Sequence, residues 1–429
     1  MQLEKRKFDY KWVIFCLCFL MNFVCLGFCS SNKGLYLSAI TDPKALDLPR
    51  SLFSINDSCR FIATALINLF FGTLIYKFGF RKMAIFGFSC LIASSLLYSV
   101  AENIYVFYVG GALLGLGASF TTTTMTGSLI RRWFKNDIGK YTGIVFAANG
   151  IGGALAAQII TPLIFDESDP FGYRTSYRLV ALITLITGII VVALLRERPK
   201  DQPVSPVPVK KRNARGRSWD GLPFETIKKR PYFYMIAAGT LMTGFILQGI
   251  GGVYAAHFKD VGIDSGYLAT ITSIYSLALT VSKILVGFVY DKKGLRFILL
   301  MCQSATVIAF TLLLLVSNTI TGKALAILFA LLYAIALPLE TLVIPLVVND
   351  AFGTAAYDKV LGIMTAMNYT GYALGTPVIN LCYDISGTYT PVFIAFIVLM
   401  PMIAIGFQFA LRGVNKDKLA YQNNNTINK

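Results

Sequence analysis

The strongest constraint on this chain is a rhythm of apolar runs, each about as long as a bilayer is thick, separated by short loops. A helix that crosses a membrane takes roughly 20 residues. Runs of that kind fall at 12–37, 51–76, 83–100, 104–130, 138–165 and 176–195, then at 232–257, 265–290, 296–316, 324–348, 358–383 and 389–411. We number them spans 1 to 12. Apolar residues make up 55% of the 429 and charged residues only 14%, against about 25% charged in a soluble domain. Mean hydropathy is +0.64. A soluble enzyme, a disordered chain and a small disulfide scaffold are excluded, and runs this continuous do not suit the alternating strands of an outer-membrane barrel. The expected fold class is an all-α membrane protein with the lipid bilayer as its solvent. The first run is too long for a cleaved leader and is read as a span.

The net charge of +17 would point to nucleic acid in a soluble protein. Here its location gives a simpler cause. With the N-terminus inside, 30 of the 39 Lys and Arg fall on cytoplasmic segments, six on the opposite loops and three (Lys33, Arg60 and Lys283) inside spans. That asymmetry places both termini in the cytoplasm and removes the need for a nucleic-acid partner. The expected location is a multi-pass protein of the plasma (inner) membrane. Residues 196–231 are rich in Pro, Arg and Lys and form a solvated basic linker. The expected organisation is a first six-span unit (1–195), the linker (196–231), a second six-span unit (232–411) and a tail (412–429). The eight cysteines lie in apolar runs without metal-ligand spacing, and His257 is the single histidine. No metal or cofactor is expected, and His257 is placed at the outer end of span 7, facing water. No loop is long enough for a catalytic domain, so no enzyme is expected.

The loop after span 2 runs Gly72-Thr-Leu-Ile-Tyr76-Lys-Phe-Gly79-Phe-Arg81-Lys82, and the loop after span 8 runs Gly287-Phe-Val-Tyr-Asp291-Lys-Lys-Gly294-Leu-Arg296. They align at a constant offset of 215 residues, as from Gly79 to Gly294. The halves therefore read as parallel repeats. Glycine permits the tight turn and the close helix approach, and the basic residues hold the loop at the cytoplasmic face. These loops resemble the signature loop of the major facilitator superfamily, with Tyr76 standing at the acidic position of the first copy and Asp291 keeping the acid in the second. Arg132-Trp133-Phe134 with the run Gly143 to Gly153, Asp350-Ala-Phe352-Gly353, and Gly375-Thr-Pro377 with Tyr383-Asp384-Ile-Ser-Gly387-Thr-Tyr389 narrow the resemblance to monocarboxylate transporters and oxalate–formate exchangers. The resemblance implies two six-helix bundles and secondary transport of a small organic anion, as proton symport or anion exchange. Gly72, Gly79, Arg81, Gly287, Asp291, Gly294 and Arg296 are then gating-loop residues. No phosphate-binding G-x-x-x-x-G-K-[ST] loop is present, so ATP is not the expected drive. Two alternatives stay open: an exporter of a drug or an amino-acid derivative, and a transport-dead sensor of the same fold.

A charge inside a span costs a few kcal/mol, so intramembrane ions point to function. Lys283 sits eight residues before Asp291, about 12 Å along a helix, near the midplane. Ser276, Thr280 and Gly287 share its face, which reads as the lining of a polar path. The resemblance implies a carboxylate anchor at this place, usually arginine. Arg60 lies about 16 Å into span 2, with Asp57 one turn before it, either as its neutraliser or as a substrate- or proton-linked partner. Lys33 lies about 31 Å along span 1 from Trp12, close to the outer interface, where snorkelling to water is easy. The resembled transporters also carry a lysine on span 1, so Lys33 remains an anion-binding candidate. Glu340, flanked by Pro338 and Pro345, has no cation one turn away and reads as either a protonated buried group or a proton carrier. Asp57 and Glu340 are thus the proton-coupling candidates. Asn368, Tyr369 and Tyr372 in span 11, with Thr121–Thr124, Asn149 and Gln248, could orient a ligand or bond between helices. Span 11 lacks a cation between Lys359 and Arg412, which favours a monoanion over a dicarboxylate.

Overall fold

The computed structural model describes residues 10–134, 138–166, 168–196, 221–353 and 356–427. The charged N-terminal residues 1–9 and most of the basic linker, 197–220, lie outside the described residues. Among the described residues, ten helices are long and apolar enough to cross a membrane. Arg50–Val100 supplies two crossings because it turns over at Gly79, and the 30-residue helix Tyr357–Ser386 adds another. The result is the expected twelve-span helical fold.

The repeat is visible in the backbone. Gly79 turns span 2 into span 3 with φ 80° and ψ 165°. Gly294 turns span 8 into span 9 with φ 77° and ψ 179°. Side-chain-bearing residues rarely occupy that region, which is why glycine stands at both turns. Span 4 is broken at Thr122, between Ile104–Thr121 and Thr123–Trp133. Its repeat, span 10, is broken at Leu337, between Ile320–Ala336 and Pro338–Thr341. Pro338 is the local cause there, since it has no N–H for the helix ladder. On the face opposite the basic loops, three short connections end in side-chain caps. Asn103, Asp264 and Thr319 accept from the N–H groups of Tyr105, Tyr267 and Gly322 at 3.0, 2.9 and 3.0 Å.

Span 1 departs from the straight helix assumed above. It runs as Lys11–Met21, a π-helical stretch Asn22–Phe28, a turn, and a second helix Lys33–Ile40. The stretch lies against span 5 with backbone on backbone: a Cβ at Gly27 would fall 2.5 Å from the Gly152 carbonyl carbon.

The two halves meet along two long seams and also where the second half of span 1 packs on span 7, a Cβ at Gly34 falling 3.2 Å from the Gly252 carbonyl oxygen. Between spans 5 and 8, Gln158 donates to Ser273 (3.0 Å), Ser273 to the Ala154 carbonyl (2.8 Å) and Thr280 to the Ala147 carbonyl (3.2 Å). Between spans 2 and 11, Asn380 donates to Ser54 (2.6 Å), Ser58 to the Ala373 carbonyl, and Phe61 packs on Tyr372 at 5.0 Å. Nearer the basic face both seams part. A Cβ at Gly72, Gly143, Gly287 or Gly362 would meet nothing within 4 Å. At the opposite face the seam is latched. Arg50, at the head of span 2, grips Asp260 with both terminal nitrogens (2.6 and 2.7 Å). It also donates to Tyr389 (3.2 Å) and lies over the Tyr383 ring at 4.1 Å. Asp384 accepts from the backbone N–H of Arg50 and Ser51 at 3.2 and 2.9 Å, an anion on a helix N-terminus. The molecule is thus shut on one face and open toward the basic one.

Candidate functional site

Three of the singled-out ions come together in one place. Lys33 Nζ lies 2.8 Å from Asp57 Oδ2, and Arg60 Nε lies 3.7 Å from Asp57 Oδ1. All three side chains are largely buried, at 17%, 13% and 10% exposure for Lys33, Asp57 and Arg60. The expectation that Lys33 snorkels to outer water is wrong. The turn at the end of the π-helical stretch redirects the second half of span 1, so Lys33 points at span 2. Asp57 does neutralise Arg60, but it shares itself between two cations. One carboxylate against two cations leaves the cluster with a formal surplus of +1.

The cluster forms one wall of a cavity of about 50 Å³, room for a few small-molecule atoms. Asn32, Tyr36, Asn56, Tyr98 and Tyr177 line it from the first half; Gly252 and Thr376 reach it from the second. Much of this lining is fixed. Tyr98 donates to Asn56 Oδ1 at 2.6 Å, the Tyr36 and Ser176 hydroxyls share a hydrogen bond at 2.7 Å, and the Tyr36 and Tyr177 rings stack at 4.1 Å. Phe61 covers the cations, with its ring centroid 4.4 Å from the Arg60 guanidinium carbon and 5.6 Å from Lys33 Nζ. Phe61 also touches Tyr369 and Tyr372, at 6.3 and 5.0 Å. This aromatic group joins the cationic cluster to the second half.

Glu340 lies on that side. It sits on the single helical turn Pro338–Thr341 and is 7% exposed. Asn368 and Tyr372 donate to its backbone carbonyl at 3.1 and 3.3 Å. Its carboxylate Oε2 has no hydrogen-bond partner. Lys33 and Lys283 are both within electrostatic reach of it. Lys283 is half-buried on span 8 and makes no ion pair among the described residues. The face around it is not the polar path expected from Ser276 and Thr280. Both pack on span 5, where a Cβ at Gly150 would fall 2.3 Å from the Ser276 carbonyl and 1.9 Å from Thr280 Oγ1. Lys283 stands one turn further on, between the packed part of the seam and Gly287, where it opens.

The remaining residues stand apart. Arg81 Nε donates to the Val192 carbonyl at 2.9 Å, while Asp291 and Arg296 are exposed at the basic face. His257 does not face water. It is half-buried, its Nε2 is 3.1 Å from the Leu313 carbonyl, and its ring packs edge-on against Phe393 at 5.0 Å. Asn149 bonds between helices, accepting from Ser31 at 2.9 Å. Sequence reasoning gave no role to Asn32, Phe61 or Thr376, although Asn32 and Phe61 adjoin Lys33 and Arg60 and Thr376 lies inside the Gly375–Pro377 motif. It also missed Arg50 and Asp260, whose loop-end positions read as ordinary solvated charge.

The family described as Major Facilitator Superfamily matches residues 12–258 and 236–424 of the chain. The chain is 22% identical over 404 residues to an uncharacterized MFS-type transporter, YcxA, of Bacillus subtilis (strain 168), covering 92% of this chain and 94% of that one. It is 24% identical over 282 residues to the sialic acid transporter NanX of Escherichia coli (strain K12), covering 65% and 62%. It is 23% identical over 321 residues to monocarboxylate transporter 13 of Rattus norvegicus, covering 74% and 70%. In three dimensions it is similar to the nucleoside transporter NupG, with a TM-score of 0.73 at 16% identity, over 94% of this chain and 99% of that one. A bacterial homolog of the human lysosomal transporter Spinster, solved inward-facing and occupied, gives a TM-score of 0.73 at 13% identity over 96% and 99%.

Proposed function

From the premise that this chain belongs to the major facilitator superfamily and is a secondary transporter of that type, we propose that it carries a small organic anion, a monocarboxylate. The observation that carries this reading is the cavity with two buried cations sharing one carboxylate, a surplus of one positive charge facing a small space. A monoanion neutralises that surplus; a dianion overshoots it. Two of the relatives bear the names of carboxylic acids, a sialic acid transporter and a monocarboxylate transporter.

In this reading the basic face is cytoplasmic, as the distribution of Lys and Arg supports, and the units 1–195 and 232–411 rock about the cavity. The open side then faces the cytoplasm and the Arg50 latch faces outward. Lys283, which stands where the seam parts, receives the anion in the open vestibule. Lys33 and Arg60 hold it in the cavity, while Asn368 and Tyr369 stand outside its lining, on the Glu340 side. Asp57 already occupies the place of an anion between the two cations, so the cargo carboxylate competes with it. A proton on Asp57 releases both cations at once, which links proton uptake to anion binding. Glu340 offers a second proton site across the aromatic group.

The test is uptake by proteoliposomes of a panel of labelled carboxylates, with and without an imposed pH gradient. Lys33→Gln and Arg60→Gln should each lower carboxylate affinity by roughly 30-fold or more, the usual effect of removing a charged partner. Unchanged carboxylate affinity in both variants, with the proteins monodisperse, would sink the anion reading.

A further inference from the structure

Two buried polar groups in the cavity wall are left without partners, and they come from opposite halves. Asn32 is 2% exposed, and its Nδ2 lies 3.4 Å from both the Gly27 and the Gly153 carbonyls. A carbonyl oxygen cannot sit against two other carbonyls, so the amide has only one sensible orientation. Its Oδ1 is the end left over, with no partner, on a residue that lines the cavity. Thr376 is also 2% exposed. Most buried helical threonines in this protein donate to the carbonyl four residues back, as do Thr121 (2.9 Å), Thr184 (2.7 Å) and Thr272 (2.9 Å). Thr376 does not: its Oγ1 has no partner in a helix that would offer one. Gly252 makes room for it, since a Cβ there would fall 2.7 Å from that Oγ1.

Building on the anion reading above, we infer that Asn32 and Thr376 form a recognition pair for a neutral hydrogen-bond donor on the cargo. The substrate class is then a small carboxylate that also carries a hydroxyl or amide N–H, rather than a simple fatty acid. Asn32 Oδ1 can only accept, so the ligand must donate to it; the Thr376 hydroxyl can give or take. An ammonium group would meet the surplus charge of Lys33 and Arg60, so the donor is uncharged. Asn32 sits on span 1 and Thr376 on span 11. A cargo bonded to both ties the two halves together at the cavity, and an unsubstituted acid does not. A site that has buried groups waiting for a hydroxyl discriminates against the analogue lacking it.

The experiment is equilibrium binding and uptake by the full-length protein with two matched probe pairs: propanoate against 2-hydroxypropanoate, and butanoate against 3-hydroxybutanoate. The hydroxylated member of each pair should bind roughly tenfold more tightly, the worth of about one good hydrogen bond. In Thr376→Val, which keeps the shape and removes the hydroxyl, that preference should fall to about twofold or less. Thr376→Ser restores a hydroxyl and should restore the preference. Equal affinity for both members in the wild type, or an undiminished preference in a monodisperse Thr376→Val, overturns the inference and leaves the anion reading standing. Failure of the protein to bind any of the four probes overturns both.

Discussion

The two halves share a backbone plan but not a chemistry. Residues 215 apart, like Gly79 and Gly294, occupy equivalent places on spans 2 and 8 and on spans 4 and 10. Where span 2 carries Asp57 and Arg60, span 8 carries Thr272 and Tyr275. Thr272 bonds its own helix, and Tyr275 stacks on Tyr333 at 5.5 Å beside Tyr254. The first half keeps a charged cavity at a place that the second fills with aromatic rings. Conversely, Lys283 stands opposite Asn68, and Glu340 opposite Met125. The turns and helix breaks persist in both copies because they set the course of the helices that frame each half. The ions differ between the copies, so each half brings something the other lacks, and an asymmetric set of charges stands on a symmetric frame.

That contrast can be broken most sharply at Asp57. Asp57→Asn leaves Lys33 and Arg60 buried without a counter-ion, and should cost about 3–5 kcal/mol of stability. Thr272→Val, its structural counterpart, should cost about 1 kcal/mol. Thermal unfolding of the purified variants decides it, and equal losses would mean that the ion cluster is not what distinguishes the halves. Adding Lys33→Gln to Asp57→Asn should recover part of the loss, because the two residues touch and their effects are coupled. Next comes Lys283, which makes no ion pair among the described residues. Lys283→Gln should leave the unfolding temperature unchanged or raised, yet lower anion affinity by roughly 30-fold. A marked destabilisation would instead assign Lys283 a structural pair. The smallest effect tests the shared part. Gly79→Ala and Gly294→Ala each force a side chain into a region reserved for glycine, and should each cost about 1–3 kcal/mol. Similar losses in the two variants sharpen the picture of one frame used twice, and a clear difference would show that the turns have diverged with the ions.

Much of the frame was legible in the sequence. Twelve apolar runs, a one-sided distribution of Lys and Arg, and a repeated Gly-containing loop follow from bilayer thickness and turn geometry, which act locally along the chain. The pairing of Asp57 with Arg60 was legible for the same reason, since three residues apart on a helix means one face. Pro338 announced the break beside Glu340. The third member of the cluster was not legible. Placing Lys33 near the outer surface assumed a straight span 1, and the π-helical stretch Asn22–Phe28 has no proline to give it away. It forms against Gly152 on span 5, a contact between helices 125 positions apart, from Gly27 to Gly152. The Arg50 latch was hidden in the same way. Its members come from the ends of spans 2, 7 and 11 and the start of span 12, and each alone reads as a charge or a tyrosine at a water-facing loop.

In the alternating-access reading proposed above, the latch has a consequence for how tightly the two faces bind the same cargo. Arg50 is on the helix that carries Asp57 and Arg60, so the closed face cannot open without moving the site. Ligand arriving from that face must wait for the unlatched conformation, and its apparent dissociation constant is divided by the fraction of molecules in that conformation. Ligand arriving from the open face carries no such factor. With equal intrinsic affinities, the ratio of the two apparent affinities therefore measures the free-energy difference between the two conformations, to which the grip of Asp260 and Asp384 on the head of span 2 contributes. That makes a binding measurement taken from each side in turn a gauge of the gate, even if the site itself is left untouched.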